Sequence, residues 1–417
     1  MLTGMQRLIT QLLTSITLLA LLVGSANGQQ VMVSVGADLQ AAIDAAAPGD
    51  TLKLADGVWN QNPYMVLKPL TIIGSGNTRF EATEVKSIFH VQADSVRFHN
   101  LHFSGVRSSS IIDNAAILVE LGDYCEIRGN QFSMNYFGIY LKDANYCKIS
   151  DNRIVSQAVS ETSAGNGIHL WKSRGVEIIN NDISGHRDGI YLEFADSVQV
   201  VGNVSHRNLR YGLHYMFSND CNYTRNRFET NGAGVAVMYS SRVIMEDNEF
   251  LNNWGPTSYG LLLKDINDSQ IIGNHILSNT TGIHSEGSNR VLVQHNRLIS
   301  NGKAVVLMAS SNDNNFVEND FIDNTLDVST NSRTHYNHFE SNYWSAYAGY
   351  DLDRNGVGDV QHRPVRLFAY LIERNPVAMV LLRSLFIELL DAAEKVFPVL
   401  SPQMLTDSSP SMKPHRS

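Results

Sequence analysis

Apolar and polar residues alternate with a period of two in short segments through the middle of the chain, among them VEIINN at 176–181, VQVVGN at 198–203 and VIMEDN at 243–248. Alternation of this kind, rich in Val and Ile and closed by Asn or Gly, predicts short strands with one face turned inward. The segments return at a nearly fixed step. Asn100, Asn130, Asn152, Asn181, Asn203, Asn226, Asn248, Asn274, Asn296, Asn319 and Asn337 mark it, with gaps of 22 or 23 predominating. Gly138, Gly167, Gly189, Gly212, Gly234, Gly260 and Gly282 keep the same step, each followed by an aliphatic residue, and Ala304 takes the eighth place. A unit of about 22 residues cannot bury its apolar face alone and must stack on its neighbours. The repeats hold strands and no helical stretch, so they are expected to pair in parallel as an all-β, pectate-lyase-like parallel β-helix of about ten coils, roughly 50 Å long. Asparagine at the turns is expected to serve the fold, because it tolerates left-handed backbone and its amide can bond to amides above and below.

The two ends break the pattern. Residues 1–28 have the layout of a secretory signal peptide, with the apolar run LLTSITLLALLVG and the small residues Ala26 and Gly28 before a cut near Gln29. DLQAAIDAAA, from Asp38 to Ala47, predicts a short helix that caps the open end of a β-helix spanning 29–345. An acidic turn segment follows at 346–365, then a helical docking segment and tail at 366–417. Within the latter, Pro376 to Pro398 predicts one helix whose first half is apolar almost all round. Arg383, Glu388 and Asp391 make it a poor membrane span. Such a helix either closes the end of the rod or docks into another protein through Met379, Leu382, Leu385 and Phe386.

Composition narrows the chemistry. Hydrophobic residues make up 43% of the chain, enough for a continuous core, and the net charge of -9 argues against nucleic acid as a partner. Cys125, Cys147 and Cys221 each stand five residues before a marker asparagine, where other repeats have Val176, Val198 and Val243, so they are expected to be small core residues. Cys125 and Cys147 fall in successive coils and could approach disulfide range.

Candidate chemistry lies on the strand after each marker glycine, where the second and fourth residues face outward. Stacking of coils brings His214, Met216 and Met238 together on this face, with His169, Trp171 and Glu193 on the coils before. Thioether and imidazole are soft ligands that suit Cu(I), so His214, Met216, Met238, His169 and Glu193 are the candidate metal residues. DLDRNGVGD at 351–359 places Asp351, Asp353, Asn355 and Asp359 like the first half of a calcium loop, although the twelfth position is His362 rather than Glu. A different class of function also fits an exported β-rod: a lyase or epimerase of acidic polysaccharides, drawing on His186, Arg187, Asp188, His206, Arg207 and Arg210.

Particular words favour the first class. GNGIHLW (165–171), SGHRDGIYLEF (184–194), NLRYGLHYMFSND (208–220), NGAGVAVMYS (231–240), GYDLDRNGVGD (349–359) and ERNPVAMVLLRS (373–384) resemble the NosD family of nitrous oxide reductase maturation proteins. The resemblance covers nearly all of the chain after the leader. It implies a right-handed, single-stranded β-helix in the periplasm with a non-enzymatic role. It also implies a C-terminal segment that engages an ABC transporter with its membrane and ATPase subunits, and two further partners, a copper-delivering lipoprotein chaperone and nitrous oxide reductase.

Overall fold

Each repeat contributes three short strands, and equivalent strands of successive repeats lie side by side, so the computed structural model contains three parallel sheets. It describes residues 28–109, 111–332, 336–374, 377, 381, 384–396 and 405–415. The leader, Met379 and Leu382 lie outside the described residues. The sheets have 14, 12 and 13 strands. They run from Gln30–Val33 to His338–Glu340, from Tyr64–Val66 to Leu326–Thr330 and from Gly57–Trp59 to Tyr343–Trp344. The fold is a parallel β-helix, and at about 4.8 Å per strand its longest sheet measures roughly 62 Å. It has more coils than the asparagine marks count, because the first coils lack the mark.

Inward residues stack coil on coil, as in the fully buried column Ile149, Ile178, Val200, Tyr223 and Met245. Cys125, Cys147 and Cys221 are free and buried in this core, and the Cys125 amide donates to Cys147 Sγ at 3.3 Å. The marker glycines have a steric reason. A Cβ on any of the seven would stand 2.5–2.8 Å from a carbonyl oxygen of the next coil, so the coils touch there through bare backbone.

The asparagine ladder is a hydrogen-bonded column inside the turn. The Asn203 amide N–H donates to Asn226 Oδ1 at 2.9 Å, while Asn226 Nδ2 donates to the Val200 carbonyl at 2.8 Å and to Asn248 Oδ1 at 3.0 Å. The left-handed residue is the one before each rung, as at Asp151 (φ 57), Arg225 (φ 55) and Asp247 (φ 51), so the rung asparagines do not serve as left-handed turns. Two marks are misplaced. Asn100 is itself the left-handed residue (φ 55), and Leu101 takes the rung, its N–H donating to Asn130 Oδ1. Asn337 belongs to another corner, where it accepts from the Asn314 N–H, and Asn342 is the rung that follows Asn319. A second ladder, five residues further on, links Asn208, Asn231, Asn253, Asn279, Asn301 and Asn324 in the same way.

Both ends are closed. The helix α1, Leu39–Ala45, is capped by Asp38, which accepts from the Ala41 N–H, and buries Leu39 and Ile43 against the first coils. At the other end α2, Leu367–Arg374, and α3, Leu385–Val396, form a small apolar cluster with the last strand of the 12-stranded sheet through Leu326, Phe368, Ala369, Ile372 and Ile387. The helix predicted between Pro376 and Pro398 is described as such only over α3. The tail is a structural part: Asp407 is fully buried and accepts from the N–H and Nδ2 of Asn342 and from Trp344 Nε1, so its carboxylate is the last rung of the first ladder. No helix among the described residues is long and apolar enough to cross a membrane.

Candidate functional site

The outward positions of the 12-stranded sheet form two adjacent columns, set by strict in-register pairing. One runs Tyr140, His169, Tyr191, His214 and Ala236, the other Lys142, Trp171, Glu193, Met216, Met238 and Lys264. The five candidate metal residues therefore lie on one face over four successive coils, and Met216 and Met238 are direct cross-strand neighbours.

Their exposure differs from an open surface patch. His169 and His214 are only 7% and 5% exposed. They belong to a stack of alternating tyrosine and imidazole rings, with centroid spacings of 4.5 Å (Tyr140 to His169), 4.9 Å (His169 to Tyr191) and 4.7 Å (Tyr191 to His214). Phe137 and Tyr211 cover the two imidazoles from the side, at 5.2 and 4.8 Å. Strand alternation states which way a residue points, not whether a neighbouring ring lies over it. Burial, reinforced by the Arg187 charge, pushes the His169 pKa down to about 3, so this ring is neutral at ordinary pH. Both nitrogens of His169 and of His214 lack hydrogen-bond partners among the described residues.

The second column is half-buried and accessible at Glu193, Met216 and Met238. The Tyr191 hydroxyl donates to Met216 Sδ at 3.4 Å, tying the thioether column to the ring stack. Beyond Glu193 the face widens into a groove of about 660 Å³ lined by Trp171, His169, Tyr140, Lys142 and Glu120. Among the described residues no three His, Cys, Asp or Glu side chains converge on one point, so a metal held here needs methionine sulfur. The donor set does suit a soft monovalent ion: two neighbouring thioethers and an imidazole with unspent nitrogens.

Three features of this face are not evident in the sequence. Asp188, named above among the groups that a polysaccharide enzyme would draw on, is 0% exposed, and Arg210 holds it with contacts of 2.9 Å (Nε to Oδ1) and 2.5 Å (Nη2 to Oδ2). Burial raises its pKa, but the hydrogen bonds from Arg210, helped by the nearby His214, outweigh that and hold the carboxyl at about 2. His214 Nδ1 stands 3.6 Å from Asp188 Oδ2, just beyond hydrogen-bond length. Finally Phe194, Phe217 and Tyr239, the residues after Glu193, Met216 and Met238, form an exposed stack at 5.1 and 5.0 Å with φ of 51, 53 and 53. Bulky residues rarely adopt that backbone, which the neighbouring coils give to Lys172 and Asp265.

The other candidates are separate from this face. In the 351–359 loop the oxygens expected to meet calcium are engaged by the loop's own amides: Asp351 accepts from the N–H groups of Asn355 and Gly356, Asp353 from Asn355, Asn355 Oδ1 from Val357 and Asp359 from Leu352. Leu385 and Phe386 stand on the open side of α3, 70% and 58% exposed, while Ile387 faces the cluster under it.

The profile of the periplasmic copper-binding protein (NosD) family matches residues 81–163 and 155–349. The chain is 30% identical over 325 residues to a Pseudomonas aeruginosa protein named "Probable ABC transporter binding protein NosD", covering 74% of this chain and 75% of that one. It is 28% identical over 321 residues to the protein of the same name from Stutzerimonas stutzeri, covering 72% and 73%. Among solved structures it is similar to PfbA, a surface adhesin of Streptococcus pneumoniae (TM-score 0.55, 10% identity, 75% of this chain and 87% of that one). It is also similar to a family 28 exopolygalacturonase of Yersinia enterocolitica (0.52, 10%, 78% and 79%) and the A-module of the Azotobacter vinelandii mannuronan C-5 epimerase AlgE4 (0.51, 17%, 73% and 89%). An adhesin and two polysaccharide enzymes share the architecture, so these likenesses concern the fold alone. With its profile spanning more than half of the sequence, the chain belongs to the periplasmic copper-binding protein (NosD) family.

Proposed function

We propose that this protein is a periplasmic, non-enzymatic accessory factor that takes Cu(I) as cargo on the face formed by His214, Met216 and Met238. It partners an ABC transporter in assembling the copper sites of nitrous oxide reductase. The observation that carries the copper reading is the cross-strand pair Met216 and Met238, beside an imidazole whose nitrogens make no hydrogen bond among the described residues. Thioethers bind Cu(I) far better than Cu(II) or calcium, and two of them set one strand spacing apart can share one ion. Glu193 and His169 extend the same face toward the groove and would receive or pass on the ion. The names of the two relatives support the transporter, and the exposed Leu385 and Phe386 offer its membrane and ATPase subunits an apolar seat. A copper-delivering lipoprotein chaperone would then be the source of the ion and nitrous oxide reductase its destination. The polysaccharide reading is less well supported. His186 and Asp188 are sealed from solvent and Arg210 is spent on Asp188, so these groups could not meet a sugar.

The test is competition for Cu(I) against a chromogenic chelator under anaerobic conditions. Met216→Ala combined with Met238→Ala is expected to weaken Cu(I) at least tenfold, with the melting temperature held because both side chains are half-exposed. Equal affinity in the double variant and the wild type rules this face out.

A further inference from the structure

The residue immediately before each marker glycine is uncharged in most coils, Phe137, Tyr211, Ala233 and Tyr259 among them, yet one coil has a fully buried carboxylate, Asp188. Burying a charge is costly unless it is paired, and here Arg210 supplies the pair from the next coil. Arg210 does not exhaust the carboxylate. Oδ2 also faces His214 Nδ1 at 3.6 Å, in a pocket closed by Tyr191 and Tyr211.

A neutral imidazole has one N–H and one lone pair, and a lone pair aimed at a carboxylate is repelled. We propose that Asp188 is a positioning residue for His214: it selects the tautomer with the proton on Nδ1, so that Nε2 presents its lone pair to the thioether side of the face. Arg210 keeps Asp188 anionic and fixes its plane through the two-point contact. The arrangement is the outer half of a carboxylate–histidine–metal relay, in which the carboxylate orients the ligand and raises its basicity. The tautomer assignment stands on the protein alone, and only its consequence for metal rests on the copper reading.

Two measurements keep these apart. The first is ¹⁵N NMR of histidine-labelled, metal-free protein, with His214→Ala to assign the signal. The wild type is expected in the Nδ1–H form. In Asp188→Asn the negative charge that disfavours a lone pair on Nδ1 is gone, so the Nδ1–H preference is expected to be lost and the proton to move toward Nε2. His214 carrying its proton on Nε2 in the wild type, or an unchanged tautomer in Asp188→Asn, overturns the proposal. Should Asp188→Asn fail to fold, the charge-neutral double variant Asp188→Asn, Arg210→Gln replaces it. Loss of the Nδ1–H preference there supports the proposal, and its persistence overturns it.

The second measurement is Cu(I) competition with the Asp188→Asn protein, where affinity is expected to fall about 10- to 100-fold. His214→Ala should then abolish any further effect of Asp188→Asn. Additive losses in that cycle overturn the positioning role. A tautomer change in Asp188→Asn together with no Cu(I) binding by the wild type overturns the copper reading while supporting the assignment of Asp188.

Discussion

The rung asparagines satisfy the amide below and, except at Asn208, a carbonyl of the coil behind, so a rung of another type is a local fault in a hydrogen-bonded column. His186 is such a rung. Its N–H donates to Asn208 Oδ1 as an asparagine would, but its own ring nitrogens have no hydrogen-bond partner among the described residues and its burial pushes the pKa down to about 4. The unfolded chain binds a proton below about pH 6.5 while the folded site resists it until about pH 4. Stability present above pH 6.5 is therefore lost as the pH falls across that window, by an amount on the order of 3 kcal/mol. His186→Asn is expected to complete the second ladder and remove that loss, so that the variant melts higher than the wild type at pH 4.5 and much less so at pH 8. Melting curves at the two pH values test it, and an equal gain at both would mean that packing rather than protonation sets the effect.

At the scale of strands and helices, the register was legible because the glycine marks fix it: the sequence places Met216 beside Met238, and the sheet pairs them. Cover was not legible. Tyr191 folds over His214 because successive coils put rings at one height, a relation between coils that period-two alternation within a strand does not carry, and Tyr211 adds cover from three positions earlier on the same strand. The second ladder also escaped notice, since its asparagines follow the first set at a constant offset and look like turn residues of the same corner. At the C-terminal end an apolar run was legible as a helix that wants burial, but not its division into a face on the last strand and a face left open. That last strand has its own titrating group. Burial raises the Asp327 pKa to about 6, with Arg366 and Asn324 opposing. Because the folded value exceeds the unfolded one, the penalty is full above about pH 6 and fades as the pH drops toward 4, the opposite slope to His186. Asp327→Asn is expected to stabilise the protein by on the order of 3 kcal/mol at pH 8 and to have little effect at pH 4. Urea titrations of both proteins at the two pH values check the sign.

For the whole molecule the decisive element is the closure of an otherwise open-ended stack. An uncovered final coil presents unpaired amides that can template another chain, and the tail covers it with backbone bridges to Phe339 and Tyr343 and with one buried carboxylate. Asp407→Ala leaves the N–H of Asn342 and the Trp344 indole N–H without their acceptor in a buried site, while Asn342 Nδ2 keeps the Phe316 carbonyl. One unsatisfied buried donor costs about 1–3 kcal/mol, so the variant is expected to melt several degrees lower and to associate at high concentration. Light scattering and calorimetry on the same samples test this. Removal of residues 366–417, which would leave an intact rod if this segment only docks and would destabilise it if the segment caps, takes this rung away along with α2 and α3.

The uniform register of the 12-stranded sheet also acts as a ruler. From the strand that ends at Met238 to Leu326–Thr330, on which the C-terminal helices rest, there are four strand steps, about 19 Å at 4.8 Å per step. Glycines in bare contact with the next coil leave the stack little room to stretch or shear, so this span is set by the number of coils rather than by any hinge. Whatever grips Leu385 and Phe386 therefore stands at a preset distance from the methionine pair and would have to bring its own reach to it. Adding or removing one repeat would change that distance by a whole step while leaving each end as it is.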